Sequence, residues 1–564
     1  MKIPSKVLVA AALVASATGC KSFLDINNNP NSPTAVTPDA ILAQALTVTA
    51  ANYTGNNPSY NSYASWVASY WGKTAVVSGY GEEQTYNYSS TYYAGLWSQT
   101  YDNLNDYNII QTNGAANYPY HAAIARIMKV YNFQLLVDEY GDVPYSQALQ
   151  SAANVTPKYD KAADIYKDLL VQLDGAISDI NKTAASATTT FTPRAVGAED
   201  VVFSGNMKKW KQFANSLKLR ILLRESQSSD AALNATVRTQ LAALQTAAAT
   251  DGFITADVQA QPTYAQASGQ QNPLYNRYAY TAAGSNATER NYQIPTQFVL
   301  NQYLLNKDPR VSQLYTKGRR VVGKDTLSQY VGSLPGESNP PNVVLPLIGS
   351  RFLGANSPGV NGGFFKGLNA PTVLMLLSEH LFSQAEVEAS GAFSGGDAQA
   401  KADYLAAIQA SFSYYYRSGS ASAATVAGTD QYKQYITNNP SNGLVDWDTN
   451  TTTVPVYNST LVARADKSPA LDTTRLATPR TVSKQEKISY QKYLALNTVA
   501  STEAWNNYRR TGFPKLAFSS QSASPRADKL PTRLLYPQSE INTNNSNIPT
   551  GVTQFTKIFW DSVD

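Results

Sequence analysis

The sequence contains very few of the side chains that bind metals or act as nucleophiles. Its 564 residues include one cysteine, Cys20, and two histidines, His121 and His380. A single cysteine excludes an internal disulfide and a zinc–thiolate site. Two isolated histidines without metal-ligand spacing are more typical of a folded interior than of a metal centre. We therefore expect no cofactor and assign no residue to a metal site; a calcium ion that holds a loop stays open, since Asp and Asn are plentiful although no Asp-x-Asp-x-Asp-Gly loop is present.

Charge is also scarce. Charged residues make up 15% of the chain, against roughly 25% in typical soluble domains. The net charge is +5, and the basic residues are scattered without the dense run that nucleic-acid binding needs. Tyrosine is abundant instead, with 37 residues. A Tyr-rich surface of low charge suits neutral polar ligands such as sugars or peptides, although an ordinary secreted protein can have the same composition.

Long apolar runs are missing, but a short one begins the chain. Lys2 and Lys6 precede the apolar segment 7–14, which is too short to span a bilayer. Small residues then lead to Cys20, as at a lipoprotein cleavage site, although Ala17 stands where a large aliphatic residue is usual. The alternative is an ordinary secreted protein with an incidental cysteine.

We divide the chain accordingly. Residues 1–19 are predicted to be a lipoprotein signal peptide, and residues 20–38 a tether lipidated at Cys20. Acyl chains on Cys20 would hold the protein to a membrane, because two or more chains give stable anchoring. Residues 39–564 contain no clear composition break and are predicted to form one binding domain.

The most distinctive stretch is a helix that stops at a tight corner. Apolar residues recur at helical spacing before it, and Gly141 and Pro144 end the helix. We expect Asp142 to bond the backbone amides of its own turn. Further helices are predicted over 40–49, 60–71, 91–111, 161–180, 207–224, 370–390, 402–416 and 484–507. Between them lie unusually long loops, at 72–90, 252–295, 317–371 and 417–483, which are predicted to form the binding face.

The corner and four other segments occur in the order typical of one family. They are Tyr140-Gly141-Asp142-Val143-Pro144-Tyr145, then Trp210–Arg220, Glu486–Leu496, Glu503–Pro514 and Pro531–Glu540. Together they resemble the signatures of the SusD/RagB family of nutrient-binding outer-membrane lipoproteins. The resemblance implies a mainly α-helical scaffold with tetratricopeptide-type helix pairs. It also implies a non-enzymatic protein that faces the cell exterior and passes ligands to a SusC-like TonB-dependent transporter.

An enzyme fits the sequence less well. A glycosidase needs two carboxyl groups facing one bond, and the neighbouring pairs here are Glu82-Glu83 and Asp138-Glu139. Adjacent residues on a helix diverge, so we interpret Asp138-Glu139 as a solvated helix end.

Sugar binding needs aromatic rings for the apolar ring face and polar side chains for the hydroxyl groups. The loops offer both, and the predicted ligand-binding residues are Trp71, Tyr80, Tyr86, Asn272, Tyr275, Arg277 and Tyr278. The signature residues Tyr140, Trp210, Trp505, Arg509 and Arg510 are expected to be part of the scaffold. The sequence therefore predicts oligosaccharide capture. Oligopeptide capture, a structural lid without its own ligand and a surface hydrolase are the alternatives.

Overall fold

The computed structural model describes residues 36–114, 117–186, 192–345, 347–352, 363–418, 427–453, 461–463, 469–471 and 479–563. The predicted signal peptide, Cys20 and most of the predicted tether lie outside the described residues. The model is mainly helical, which confirms the predicted fold class. No helix in the described ranges is long and apolar enough to cross a membrane.

The helices follow one another along the whole described chain. We number them α1 Pro38–Thr54, α2 Tyr60–Val67, α3 Gly81–Thr85, α4 Gly95–Gly114, α5 Pro119–Tyr140, α6 Ala162–Ser186, α7 Met207–Glu225, α8 Ala231–Asp251, α9 Pro273–Tyr278, α10 Gln297–Leu305, α11 Val311–Leu314, α12 Leu377–Ala389, α13 Gly396–Tyr416, α14 Thr429–Thr437, α15 Lys484–Leu496, α16 Ser501–Thr511 and α17 Gln538–Thr543. Consecutive long helices pack as pairs, α4 on α5, α5 on α6, α7 on α8 and α12 on α13.

Short strands occupy the connections between the helices. They are β1 Trp71–Lys73, β2 Val143–Pro144, β3 Tyr159–Asp160, β4 Val258–Ala260, β5 Gln293–Pro295, β6 Gly318–Val322, β7 Asp325–Gln329, β8 Leu347–Ile348, β9 Thr372–Met375, β10 Thr451–Thr452, β11 Leu461–Ala463, β12 Pro469–Leu471 and β13 Arg480–Thr481. Within the described residues they form two-stranded antiparallel pairs, apart from one three-stranded sheet in the order β7-β6-β8. The long loops are thus fastened at several points.

Several helices differ from the prediction. The helix predicted over 60–71 ends at Val67, and Trp71 begins strand β1. The segment predicted as one helix over 484–507 is two helices, because Asn497 and Thr498 interrupt it and Thr498 has a φ of +63°. The helix predicted from residue 370 begins only at Leu377, since Thr372–Met375 form strand β9. Helix α8 was not predicted, because its face is mostly alanine and exposed polar residues, with only four buried positions.

The corner after α5 has the predicted geometry. Gly141 takes a φ of +72°, and its N–H bonds the carbonyl of Val137 at 2.9 Å. The next residues form β2, which pairs with β3. Asp142, however, does not bond its own turn. Its Oδ1 accepts from the N–H of Ala162 at 2.9 Å, so it caps the start of α6 instead.

Asp138 and Glu139 are not a solvated helix end, so that interpretation is wrong. Both are buried, with exposures of 0% and 1%. Arg224 of α7 donates to Asp138 at 3.2 Å and to Glu503 of α16 at 2.7 Å. Arg509 of α16 donates to the carbonyl of Asp138 at 2.7 Å. Charged groups that would be costly to bury alone are paired here.

The signature segments therefore meet inside the protein. The N–H of Leu534 bonds the carbonyl of Glu139 at 2.9 Å, which brings the last signature segment, Pro531–Glu540 (the closing segment), to the corner. Two further buried pairs, Arg220–Glu379 and Arg510–Glu386, extend the same region. We call these carboxylates and guanidinium groups, with Asp138, Glu139, Arg224, Glu503 and Arg509, the charged core. The signature residues Tyr140, Trp210, Trp505, Arg509 and Arg510 are at most 2% exposed, which confirms their assignment to the scaffold.

Candidate functional site

Two of the long loops are brought together by one strand pair. Strand β1 pairs with β5, so that Trp71 lies opposite Pro295 and Lys73 opposite Gln293. The N–H of Thr74 continues the contact to the carbonyl of Tyr292 at 3.0 Å. The predicted residues near position 80 and those near position 277 come together as a result.

Tyr80 and Arg277 meet at a residue that the sequence analysis did not select, Glu289. Arg277 donates from Nη2 and Nε to Glu289 Oε1 at 2.7 and 2.9 Å. The Tyr80 hydroxyl donates to Glu289 Oε2 at 3.2 Å and accepts from the amide of Gln293 at 2.5 Å. The ring of Tyr80 packs on Trp66 with a centroid separation of 4.7 Å. Both predicted residues are thus held in fixed positions.

These side chains border an open cavity of about 290 Å³, which we call the loop basin. Its lining residues are Asn57, Pro58, Tyr80, Glu83, Thr91, Tyr93, Ala94, Gly95, Arg277 and Glu289. Tyr93 is half-buried and packs on Tyr63 and Tyr92 with centroid separations of 5.7 and 4.7 Å. The basin combines aromatic surface with hydrogen-bond donors and hydrogen-bond acceptors.

The electrostatics of the loop basin depend on Glu83. The pKa of the Glu83 carboxyl is raised to about 7, mainly by burial and to a smaller extent by the neighbouring carboxylates of Glu82 and Glu289. Arg277 is fixed by Glu289 and by the carbonyl of Asn56. Near neutral pH the basin can therefore offer a protonated carboxyl as a donor beside an ion pair.

The other five predicted ligand-binding residues are buried in the protein interior. Their exposures are between 0% and 5%, for Trp71, Tyr86, Asn272, Tyr275 and Tyr278. Burial of large aromatic side chains contributes much favourable free energy to folding. The four aromatic residues of this set accordingly lie in the core. Trp71 contacts Tyr278 at a centroid separation of 5.0 Å. Contact between these five residues and a ligand would require the covering side chains to move.

The polar atoms of three of these residues bond other parts of the fold. The indole of Trp71 donates to Thr498 Oγ1 at 3.0 Å, and the hydroxyl of Tyr86 accepts from the N–H of Ser519 at 3.1 Å. Asn272 caps helix α9, accepting from the N–H of Tyr275 at 3.0 Å. Trp71 and Tyr86 also border a crevice of about 20 Å³. A space of that size holds about one water molecule and excludes a sugar ring.

Another cavity, larger than the loop basin, contains none of the predicted residues. It measures about 600 Å³ and lies between β4, the start of α7 and the turn 200–204. Gln259 and Gln261 border this cavity. They are two positions apart in extended chain, so their side chains lie on the same face. The turn is rigid because the Asp200 carboxylate accepts from three backbone N–H groups and from the indole of Trp210. We call this cavity the amide groove. The sequence predicts a loop over 252–295 and so gives no sign that these two amides share a face. Their common orientation follows from strand β4.

Both histidines lie in the protein interior. His121 is buried and bonds Glu199 at 3.0 Å. Burial, together with Lys492 and Arg220, lowers the pKa of His380 to about 3, so that its ring is neutral. Over the ranges described above, no group of three or more His, Cys, Asp or Glu residues is arranged to hold a metal ion.

Comparison with known proteins places this geometry in context. Residues 30–537 match the family SusD-like_2, described as "Starch-binding associating with outer membrane". No curated protein matches the sequence. Among solved structures, a chitin-binding protein superposes with a TM-score of 0.65 at 22% identity, covering 92% of this chain and 99% of that one. A SusD-like protein from Bacteroides thetaiotaomicron gives 0.65 at 18% identity, covering 92% and 98%.

A chitin-binding SusD homologue from Flavobacterium johnsoniae has a TM-score of 0.64 at 18% identity, again covering 92% and 98% of the two chains. At these identities the structural likeness establishes the shared fold. The sequence match extends over most of the chain and confirms the resemblance drawn from the signature segments. The chain belongs to the SusD-like family.

Proposed function

We propose that this protein is a cell-surface lipoprotein that captures oligosaccharides in the loop basin and delivers them to a TonB-dependent outer-membrane transporter. The family is described as starch-binding and associated with the outer membrane, and two structural relatives are named as chitin-binding. Acylated Cys20 would supply the anchor. Capture without catalysis is the activity that these observations favour.

The observation that carries the proposal is the composition of the loop basin. Two half-buried tyrosines, Tyr80 and Tyr93, lie beside Glu83 and the Arg277–Glu289 pair. A sugar presents an apolar C–H face and hydroxyl edges, which tyrosine rings and charged donors and acceptors can bind together. We assign direct ligand contact to Tyr80 and Arg277. The buried Trp71, Tyr86, Asn272, Tyr275 and Tyr278 are proposed to hold the loops around them.

The affinity should be modest. A single basin of about 290 Å³ covers few sugar rings, and each hydroxyl that it binds must first lose water. Fixed side chains offset part of this cost, because Tyr80 and Arg277 are already held by Glu289 before a ligand arrives.

Isothermal titration calorimetry with protein lacking residues 1–20 tests the proposal. The ligands are starch-derived and chitin-derived oligosaccharides and a mixture of oligopeptides. Saturable binding of one glycan class without cleavage is expected, with an affinity at least tenfold weaker in Tyr80→Ala. Tyr432→Ala is the matched control, since Tyr432 is a half-buried tyrosine that packs on Phe412 in a separate core cluster. Circular dichroism checks that both variants fold.

The same titrations separate the alternatives. Binding that survives Tyr80→Ala but is lost in the double variant Gln259→Ala and Gln261→Ala would place the site in the amide groove. Binding of peptides and not glycans would assign oligopeptide capture. A structural lid would co-purify with the transporter barrel from membranes yet bind no ligand, and glycan turnover detected by mass spectrometry would indicate a hydrolase.

A further inference from the structure

A further cavity lies on the helical scaffold and shares no lining residue with the loop basin or the amide groove. It measures about 250 Å³ and is bordered by α4, α5, α6 and the chain that follows the corner. We call it the helix groove. Its lining includes two cationic side chains, Arg126 and Lys129, one turn apart on α5.

Lys129 is a cation without an anionic partner. Its Nζ donates to Asn108 Oδ1 and Gln111 Oε1, both at 3.1 Å. Within the described part of the chain no carboxylate lies within the 4.0 Å of an ion pair from this Nζ. Burial lowers the pKa of Lys129, and the charge of Arg126 lowers it further. Partly desolvated ammonium groups bind anions more strongly than fully hydrated ones.

The guanidinium of Arg126 lies against helix α6 at Gly175, where no side chain blocks it. A Cβ on Gly175 would lie 2.1 Å from the Nη2 of Arg126, so only glycine lets the guanidinium lie against this helix. Its Nε donates to Gln172 Oε1 at 2.8 Å and its Nη1 to Asp179 Oδ2 at 2.8 Å. Asp179 balances the charge of Arg126, which leaves Lys129 as the cation that lacks a counter-ion.

One wall of the helix groove is aromatic. Tyr145, from the corner motif, packs edge-on against Phe133 with centroids 4.7 Å apart. The hydroxyl of Tyr145 donates to Asp168, which also accepts from Gln172 Nε2 at 3.0 Å. Because Gln172 is bonded at both ends, its amide orientation is fixed. The groove therefore has a fixed ring beside a cation and three amides.

We propose that the helix groove binds one sugar residue that bears a carboxylate, with the acid group at Lys129 and the sugar ring beside Tyr145. A volume of about 250 Å³ falls just below the range of pockets for drug-sized ligands, so it suits a single ring. The amide oxygens of Asn108 and Gln111 hold Lys129 Nζ at the position where it would meet the acid group. This assignment rests on the proposed function, and it adds acidic glycans to its substrates.

The test measures binding of glucuronate, glucose and inorganic sulfate to the folded chain lacking residues 1–20, by calorimetry at low salt. Glucuronate should bind saturably and glucose should not. Lys129→Met should weaken glucuronate binding at least tenfold, while Lys129→Arg retains most of it. Lys167→Met is the control, because Lys167 on α6 is 67% exposed, pairs with Asp164 and does not line the helix groove. Gly175→Ala, which displaces Arg126 without touching Lys129, should also weaken binding.

Equal glucuronate binding by Lys129→Met and wild type would overturn the inference, as would equal binding of glucose and glucuronate. Sulfate binding as tightly as glucuronate would reduce the groove to adventitious anion binding and overturn the assignment to a sugar. Neutral oligosaccharides and glucuronate titrated into wild type, Tyr80→Ala and Lys129→Met separate this inference from the proposed function. If they bind in a Tyr80-dependent way while glucuronate does not bind, only the helix groove assignment fails. If glucuronate binds in a Lys129-dependent way while neutral oligosaccharides do not bind, only the proposed capture in the loop basin fails.

Discussion

Replacing Arg224 with methionine should destabilise the protein strongly. The side chain is 4% exposed and donates to two carboxylates, Asp138 and Glu503, which are 0% and 2% exposed. Methionine keeps much of the apolar stem but leaves both acids without this cation. Removing one partner of a buried pair costs about 3–5 kcal/mol. Natural proteins are stable by only about 5–15 kcal/mol, so the loss is a large fraction of the total.

Equilibrium denaturation followed by circular dichroism and tryptophan fluorescence measures this loss. The exposed Arg238 on the neighbouring helix α8 provides the control, and Arg238→Met should change stability by no more than about 0.5 kcal/mol. The double variant Arg224→Met with Glu503→Gln should recover part of the loss, because it removes one of the stranded charges. A loss below about 1 kcal/mol for Arg224→Met, or simple additivity in the double variant, would refute the charged core as a coupled network.

Two further predictions concern the loop basin and the corner. Because burial raises the pKa of Glu83 to about 7, its proton stabilises the folded state at low pH, and this contribution is lost as the pH rises through about 7. A ligand that covers Glu83 favours the neutral form, so glycan affinity should rise as the pH falls from 8 to 6, and Glu83→Gln should abolish that change in titrations. Gly141→Ala should lower the melting temperature by several degrees, since φ is +72° and the new Cβ would lie 2.8 Å from Arg533 Nη1. An unchanged melting temperature would show that the closing segment moves freely.

Much of the scaffold could be predicted from the sequence because long helices repeat their apolar residues at a local period. The helix of residues 119–140 has this pattern together with clear stop signals, and its end is where the sequence predicts it. The strand before α12 could not be separated from the helix, since Thr372–Met375 is a short apolar run that both structures tolerate. Helix α8 lacks a strong apolar stripe and was missed for that reason.

The candidate site was harder to predict, because aromatic residues in loops serve both packing and binding. Tyr80 and Tyr278 are equally plausible ligand contacts in the sequence, yet Tyr278 is 2% exposed and Tyr80 borders an open cavity. The difference arises from the pairing of β1 with β5, which involves residues more than 200 positions apart. Glu289 was overlooked because no local pattern links it to Tyr80. Only the fold brings the two together.

The charged core also constrains the order in which the protein can fold. The contact between Arg509 and the carbonyl of Asp138 joins residues 371 positions apart. A chain emerging from its amino end therefore carries Asp138 with Arg224 alone, and Glu139 without its counter-ion Arg509, until almost the entire polypeptide is available. Burying those acids alone is unfavourable, and contacts of such separation form slowly. The charged core can therefore be completed only when Arg509 is present, and a chain truncated before this residue should not reach the native fold.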